Sequence, residues 1–580
     1  MKTLRGVPAS AGAAIGHAFP FRRLTPRFER QRCDDPAAEW ARGQAALATA
    51  AARLIALAIR ARDQGLAQQA SVLQAQALML DDPELLDAVR TSIEEHALCA
   101  EAALSDAAER YAELLEALDD QYLAARAADV RDVAQRVLHV LLGLTDAPGA
   151  DLTRPAIILA DDLAPSDIAW LDPAFMLGFC TAGGSAASHT AILARELGLP
   201  AVVGAGAEIL RIPADTPLIL DGGEGLLLLD PAPATLAAYE AAGLAAQSRS
   251  AEAQAHAHEP AVTRDGWRAV VLANLSSVAG LQSALAAGAE GIGLLRTEFL
   301  YLERATAPTE EEQYSAYRAI FDAFGDRLVV LRTLDAGGDK ALPYLRLPPE
   351  PNPFLGLRGL RLCLRRPELF RPQLRAALRA AAGRRLKIMF PMVTAMAEVR
   401  AARVELEDCR RALVAEGLPA AERLEVGIMV EAPAAALIAD HLAAEVDFFS
   451  IGTNDLTQYA LAVDRTNAEV ADLASAYHPA VLRLVRGVIV AAHRQGKPVA
   501  MCGELAGDPT AIPLLLGLGV DELSMAPAVI PLAKQVIRAL DRSALRSLAQ
   551  EALALPEPDA VRAMVRRATP RACRFPPQFT

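Results

Sequence analysis

Apolar and polar positions alternate in three distinct ways along this chain. Over residues 4–21, short apolar runs are punctuated by Gly6, Gly12 and Gly16, a pattern of brief strands and turns. From about Asp34 to Leu144, Ala, Leu and Glu/Arg recur at helical spacing with a break at Asp81-Asp82-Pro83, which predicts a helical bundle. Short β-rich runs then follow at 156–160, 175–181, 201–203, 217–221 and 225–229, with one helix after His189. The opening residues share this Gly-and-strand character. The expected organisation is therefore an α/β domain formed by residues 1–21 and 145–230, with the helical unit, 22–144, inserted into it. Residues 236–258, inside a linker at 231–260, are polar, Ala-rich and without an apolar stripe, as befits a helical connector between two bodies that can move. The remainder, 261–580, alternates strand and helix patterns in the rhythm of a (β/α)8 TIM-type barrel. Its eight candidate strands are 270–275, 291–295, 328–332, 387–390, 426–430, 448–451, 499–502 and 522–525.

Length agrees with that division, because 580 residues exceed what one core normally organises. A net charge of −13 argues against nucleic acid as a partner, since a phosphate backbone demands clustered Lys and Arg. A basic protein partner fits better. Seven scattered cysteines without CxxC spacing predict reduced thiols rather than a disulfide framework or a zinc ribbon. With neither a signal peptide nor a run of ~20 apolar residues, the expectation is a soluble, cytoplasmic protein without membrane insertion.

In a TIM-type barrel the reactive groups lie where strands pass into the following loops. Here those positions carry Arg296-Thr297-Glu298, Arg332 with Asp335 and the turn Gly337-Gly338-Asp339-Lys340, Glu431, Asn454-Asp455 with Arg465 beyond, and Cys502-Gly503-Glu504. Arg358 follows a Pro- and Gly-containing loop. Any one arginine is commonly a surface ion pair, and any one cysteine is commonly inert core. Their convergence on one face is what speaks for a site. Guanidinium groups grip carboxylate and phosphate through paired hydrogen bonds, so four of them predict an excess of positive charge and a small polyanionic substrate. Glu431 and Asp455 offer hard oxygens of the kind Mg²⁺ selects, and a metal there would stabilise an enolate. Cys502 would have a proton to give to such an enolate.

His189 stands apart from the other histidines. The stretch from Gly183 to Arg195 is a Gly-rich turn running into a helix, which sets His189 in a first helical turn where free amides and the helix dipole favour a phosphoryl group. Imidazole is nucleophilic when neutral and needs no separate base.

These residues and their surroundings resemble Enzyme I of the bacterial phosphoenolpyruvate-dependent phosphotransferase system, over essentially the whole chain. The carriers of the resemblance are GIGLLRTEFL, TLDAGGDK, NPFLGLRGLRLC, IMFPMV, VGIMVEAPAA, FFSIGTNDLTQYALAVDR and MCGELAGD in the barrel, and SHTAILARELGLPAVVG around His189. The resemblance implies a swivelling phosphohistidine domain whose His189 is phosphorylated on the ring nitrogen remote from the backbone. It implies that Arg296, Arg332, Asn454 and Arg465 hold phosphoenolpyruvate with Arg358 and Lys340 close by. Asp455 and Glu431 would bind Mg²⁺, and Cys502 would protonate the enolate to pyruvate. It further implies docking of the carrier HPr on the helical unit around residues 73–86, with Leu78, Met79, Leu85 and Leu86 beside Asp81, Asp82 and Glu84, and a homodimer through the barrel domain. One departure is Gly184-Ser185-Ala186-Ala187-Ser188, where the family commonly has two glycines and a basic residue; the missing positive side chain bears on any contact to the travelling phosphoryl group. SHTAILAR alone would also suit pyruvate phosphate dikinase or phosphoenolpyruvate synthase, but those need a nucleotide-binding domain, and the chain starts directly in the phosphohistidine region. A pyruvate-enolate lyase and a catalytically silent regulatory paralogue are the remaining alternatives.

Overall fold

The computed structural model describes residues 2–21, 28–63, 67–117, 121–144, 152–163, 171–184, 197–302, 306–338, 350–465 and 473–569, together with 167, 190–191, 194, 304, 342, 344–345, 347–348, 467 and 470. His189 and Lys340 lie outside the described residues. The described residues divide into two compact units, those up to Gly243 and those from Leu244 on.

The first unit is built on an eight-stranded sheet. Strands β1 (Lys2–Arg5), β2 (Val7–Ser10) and β3 (Ala13–Pro20) come before the helices, while β4 (Ala156–Ala160), β5 (Met176–Thr181), β6 (Ala201–Val203), β7 (Pro217–Asp221) and β8 (Leu226–Leu229) come after them. The spatial order is β1-β8-β7-β3-β4-β5-β6-β2, so the first twenty residues hydrogen-bond into the same sheet as residues beyond 156. Strand β4 shows why its run is continuously apolar rather than alternating. Ile158 packs with Phe179 and Val203 on one face, and Ile157 and Leu159 pack with Val202 and Leu220 on the other.

Between β3 and β4 the chain forms α1 (Pro36–Asp63), α2 (Ala67–Met79), α3 (Pro83–Glu94), α4 (Ala100–Glu116) and α5 (Gln121–Leu141). Their shared core includes Leu54, Leu73, Val89, Ile93, Leu104 and Val137. The break before α3 has a local cause. The Asp82 carboxylate accepts the backbone N–H of Glu84 at 2.9 Å and of Leu85 at 3.3 Å, and Pro83 occupies the first helical position, where its missing N–H costs nothing.

In the second unit, β10 (Arg268–Leu275), β11 (Gly291–Arg296), β12 (Leu328–Arg332), β13 (Arg385–Phe390), β14 (Arg423–Val430), β15 (Phe448–Ile451), β16 (Val499–Met501) and β17 (Glu522–Met525) run parallel. The sheet closes on itself because β10 pairs with both β11 and β17. All eight expected strands are present. A short strand β9 (Ala261–Val262) pairs antiparallel with β10, an addition that two residues were too few to signal. Successive strand residues point to opposite faces, and Leu294, Val330, Met389, Met429, Phe448 and Cys502 gather into one inward layer, distinct from the larger core under the outer helices. Two residues beyond Leu294, Val330 and Met429, the same parity delivers Arg296, Arg332 and Glu431 to the C-terminal mouth. No helix among the described residues is long and apolar enough to cross a membrane.

Candidate active site at the barrel mouth

Strand ends and the loops after them bring the charged residues together in a chain of ion pairs. On β12, Arg332 reaches Glu298 at 2.5 Å and Asp335 at 3.1 Å. Asp335 in turn accepts two hydrogen bonds from Arg358, Nε to Oδ1 at 3.0 Å and Nη2 to Oδ2 at 3.1 Å. The other side of Arg358 donates to both oxygens of Asp455, at 3.1 and 3.3 Å. Arg465 lies 3.7 Å from Asp455 Oδ1. Positive and negative groups therefore alternate from Glu298 through Arg332, Asp335, Arg358 and Asp455 to Arg465, and the inner members are buried.

The loop that carries Arg358 can come this close because of two glycines. Gly337 has φ +106°, and a Cβ there would lie 2.6 Å from the carbonyl oxygen of Leu357. Gly359 has φ +58°, with Met392 in the way of any side chain. Both are conformations that L-residues disfavour.

Burial works against the charge on Arg332 and on Arg358. The carboxylates of Glu298 and Asp335 around the first, and of Asp335 and Asp455 around the second, more than offset it and hold both guanidinium groups charged. Glu431 is in the opposite situation. Burial, followed by the nearby charges of Asp335 and Asp455, pushes its carboxyl up to about 8. Its Oε1 accepts the Met392 N–H at 2.6 Å, while its Oε2 is buried without a hydrogen-bond partner. Such an orphaned oxygen costs free energy unless a proton or a cation occupies it. Glu431 and Asp455 are thus a pair of hard-oxygen donors, and among the described residues no group of three or more His, Cys, Asp or Glu is arranged to hold a metal by itself. A cation that keeps waters or substrate oxygens in its shell suits two protein carboxylates.

Three of the four expected arginines, Arg332, Arg358 and Arg465, lie in this chain of ion pairs. They are paired with Glu298, Asp335 and Asp455, so much of the expected positive charge is met by carboxylates within the mouth itself. Arg358 in particular has its Nε, Nη1 and Nη2 engaged by Asp335 and Asp455. Arg296, at the end of β11, is exposed. Asn454 forms a reciprocal pair with Glu504, its Nδ2 donating to Oε1 at 3.1 Å and its Oδ1 accepting the Glu504 N–H at 3.0 Å.

Cys502 is 3% exposed, and burial pushes its thiol up despite the hydrogen bond from Ser450 and the charge of Arg332. It is therefore protonated at neutral pH. Behind the mouth, Gln373 accepts the Leu334 N–H at 2.8 Å and donates to Thr297 Oγ1 at 3.0 Å and to Tyr317 at 3.2 Å. Thr297 donates to the carbonyl of Arg332 at 2.9 Å. Thr297 was among the strand-end residues of the sequence, whereas Gln373 and Tyr317, on helices, and the inward-facing strand residues Asn274 and Ser450 were missed. For Asn274 and Ser450 the available signal was a polar side chain at an inward position of an otherwise apolar strand.

In the first unit, Thr190 Oγ1 is buried and donates to Asp162 Oδ1 and to the Leu163 carbonyl, both at 3.1 Å. On the helical unit, Leu78 is 71% exposed, whereas Leu85 packs into the bundle core. Leu85 is accordingly removed from the expected docking face.

The fold and this constellation define a class. Residues 250–542 match the model described as "PEP-utilising enzyme, PEP-binding domain", residues 152–225 that of the mobile domain and residues 5–126 that of the N-terminal domain. The chain is also 44% identical over 566 residues to phosphoenolpyruvate-protein phosphotransferases of Bacillus sp. (strain S) and Geobacillus stearothermophilus, covering 98% of each chain. It is 44% identical over 552 residues to that of Staphylococcus carnosus, covering 95% of this chain and 96% of the relative. The chain belongs to the phosphoenolpyruvate-protein phosphotransferase family.

Proposed function

We propose that this enzyme takes the phosphoryl group of phosphoenolpyruvate onto His189 and passes it to a histidine of an HPr-type carrier protein, releasing pyruvate as the first step of phosphotransferase-system sugar uptake. The observation that carries the reading is the meeting, at one barrel mouth, of guanidinium groups, a carboxyl oxygen without a partner, and a buried protonated thiol. Near-complete similarity to named phosphotransferases supports the same reaction.

The residues present fit Mg²⁺. The orphaned Oε2 of Glu431 and the Asp455 oxygens, each with a lone pair left after Arg358, are the donors it would use. When bound, the ion would draw charge from the phosphate and the enolate oxygen. Arg296, Arg332, Arg465 and Asn454, with Lys340, would hold the phosphate and carboxylate of the substrate. Arg358 would act through Asp455, by fixing its carboxylate. The ring nitrogen of His189 attacks phosphorus, the P–O bond to the enol oxygen breaks, and the enolate pair takes the Cys502 proton at carbon. Catalysis is then chiefly positioning and charge stabilisation.

His189 must visit this mouth and then the carrier, which is the work expected of the connector at 231–260. The exposed Leu78 with Asp81 and Glu84 supports a mixed apolar and acidic face for a partly basic carrier. A cytoplasmic setting is supported by the six described cysteines, all of them free, and a homodimer through residues 261–580 by the resemblance. To test the reaction, the full chain is incubated with labelled phosphoenolpyruvate and Mg²⁺ and chased with carrier. Acid-labile label that moves to the carrier is expected for wild type, and none for His189→Ala. Equal labelling of the two chains would refute the proposal.

A further inference from the structure

Cys502 sits in an apolar layer with Leu294, Val330, Met389, Met429 and Phe448. A hydroxyl lies against that layer. Ser450, on the neighbouring strand β15 and 1% exposed, donates from Oγ to the sulfur of Cys502 at 3.2 Å. The backbone of Cys502 is fixed separately: its N–H donates to the Ile451 carbonyl at 3.1 Å, and its own carbonyl accepts from Asn274 Nδ2 at 3.1 Å. Asn274 Oδ1 is in turn held by Ser524 Oγ at 2.6 Å.

With its main chain anchored, the thiol keeps only the torsions about its side chain. The contact from its sulfur to the Ile451 carbonyl is 3.7 Å long and restrains those torsions weakly. A donor on one sulfur lone pair restrains them more, while the S–H itself donates only over the long contact to the Ile451 carbonyl and can turn away from it. That hydrogen bond also strengthens as the proton departs, because a bond to an ionised acceptor is roughly twice as strong as one to a neutral acceptor. Its contribution is therefore larger after the proton has moved than before, which is the condition for speeding a step.

We propose that Ser450 is a positioning residue for proton delivery, aiming the Cys502 thiol at the methylene carbon and holding the thiolate that remains. The inference rests on the reading of Cys502 as the proton donor. In the step, the S–H bond breaks and a C–H bond forms at the enolate carbon. The carbon–oxygen double bond of pyruvate is completed, and the thiolate, hydrogen-bonded by Ser450, later recovers a proton from water.

The test compares two rates in the first turnover of the full chain with Mg²⁺ and phosphoenolpyruvate: labelling of His189, and appearance of keto pyruvate, which a pyruvate-specific coupling enzyme distinguishes from released enolpyruvate. Ser450→Ala is expected to lower the ratio of the second rate to the first by about tenfold, and Ser450→Thr, which keeps the hydroxyl, to restore it. A ratio equal to wild type in Ser450→Ala, including one where both rates fall together, overturns the role of Ser450. Failure of Thr to restore a lowered ratio overturns it as well. Cys502→Ala separates the two ideas: if it leaves the ratio intact, the donor assignment itself fails, whereas a lowered ratio there with a normal one in Ser450→Ala removes only Ser450.

Discussion

Asp335 is the carboxylate on which the mouth turns, because it serves Arg332 and Arg358 at once and is itself fully buried. Replacing it by Asn keeps the shape and removes the charge. Breaking buried pairs of this kind costs about 3–5 kcal/mol, so Asp335→Asn should lower the thermal transition of the barrel unit and raise the KM for phosphoenolpyruvate as Arg332 and Asp455 lose their setting. Calorimetry and steady-state kinetics on the full chain check both. Glu431 makes a different expectation, about pH. Its pKa in the folded chain is raised by burial to about 8, so the folded state holds a proton that the unfolded state gives up. That stabilisation is fully present below the ordinary carboxylate pKa and is lost as pH rises through about 8. In the absence of divalent cation, the melting temperature of wild type should therefore fall with rising pH more steeply than that of Glu431→Gln. Parallel pH profiles for the two proteins would show that the buried carboxyl is not protonated.

Elements set these residues in place, and their own supports can be tested. Gln373, on the helix Pro367–Ala380, satisfies the Leu334 N–H just before Asp335. Gln373→Leu leaves that buried N–H unpaired, at a cost of about 1–3 kcal/mol, and should loosen the loop after β12. Faster hydrogen exchange in that loop is the expected sign. In the helical unit, Asp82→Ala removes the cap of α3 and should cost about 1 kcal/mol, confined to that unit and leaving the barrel's transition where it was. The barrel strands and the break at Asp82-Pro83 were legible in the sequence because period-2 runs and a cap followed by proline are local signals. Strand-end charges were legible too, since parity alone carries Arg296, Arg332 and Glu431 to the mouth. What escaped was pairwise: nothing in the sequence says that Asp335 spends its oxygens on Arg358, that Ser450 touches Cys502 across two strands, or that Leu85 faces inward. Those facts depend on contacts between residues 23 and 52 positions apart and on which side of α3 meets the core.

For the molecule as a whole, the proposed reaction carries a phosphate from the barrel mouth to one histidine of the other unit. The direct measurement is to expose wild type and Arg332→Ala to phosphoenolpyruvate and Mg²⁺, then locate the phosphorylated residue by mass spectrometry under conditions that preserve phosphohistidine. Phosphate on His189 in wild type, and its near absence in Arg332→Ala, is the expected result. Phosphate on a different side chain, or undiminished on His189 without Arg332, would contradict the account.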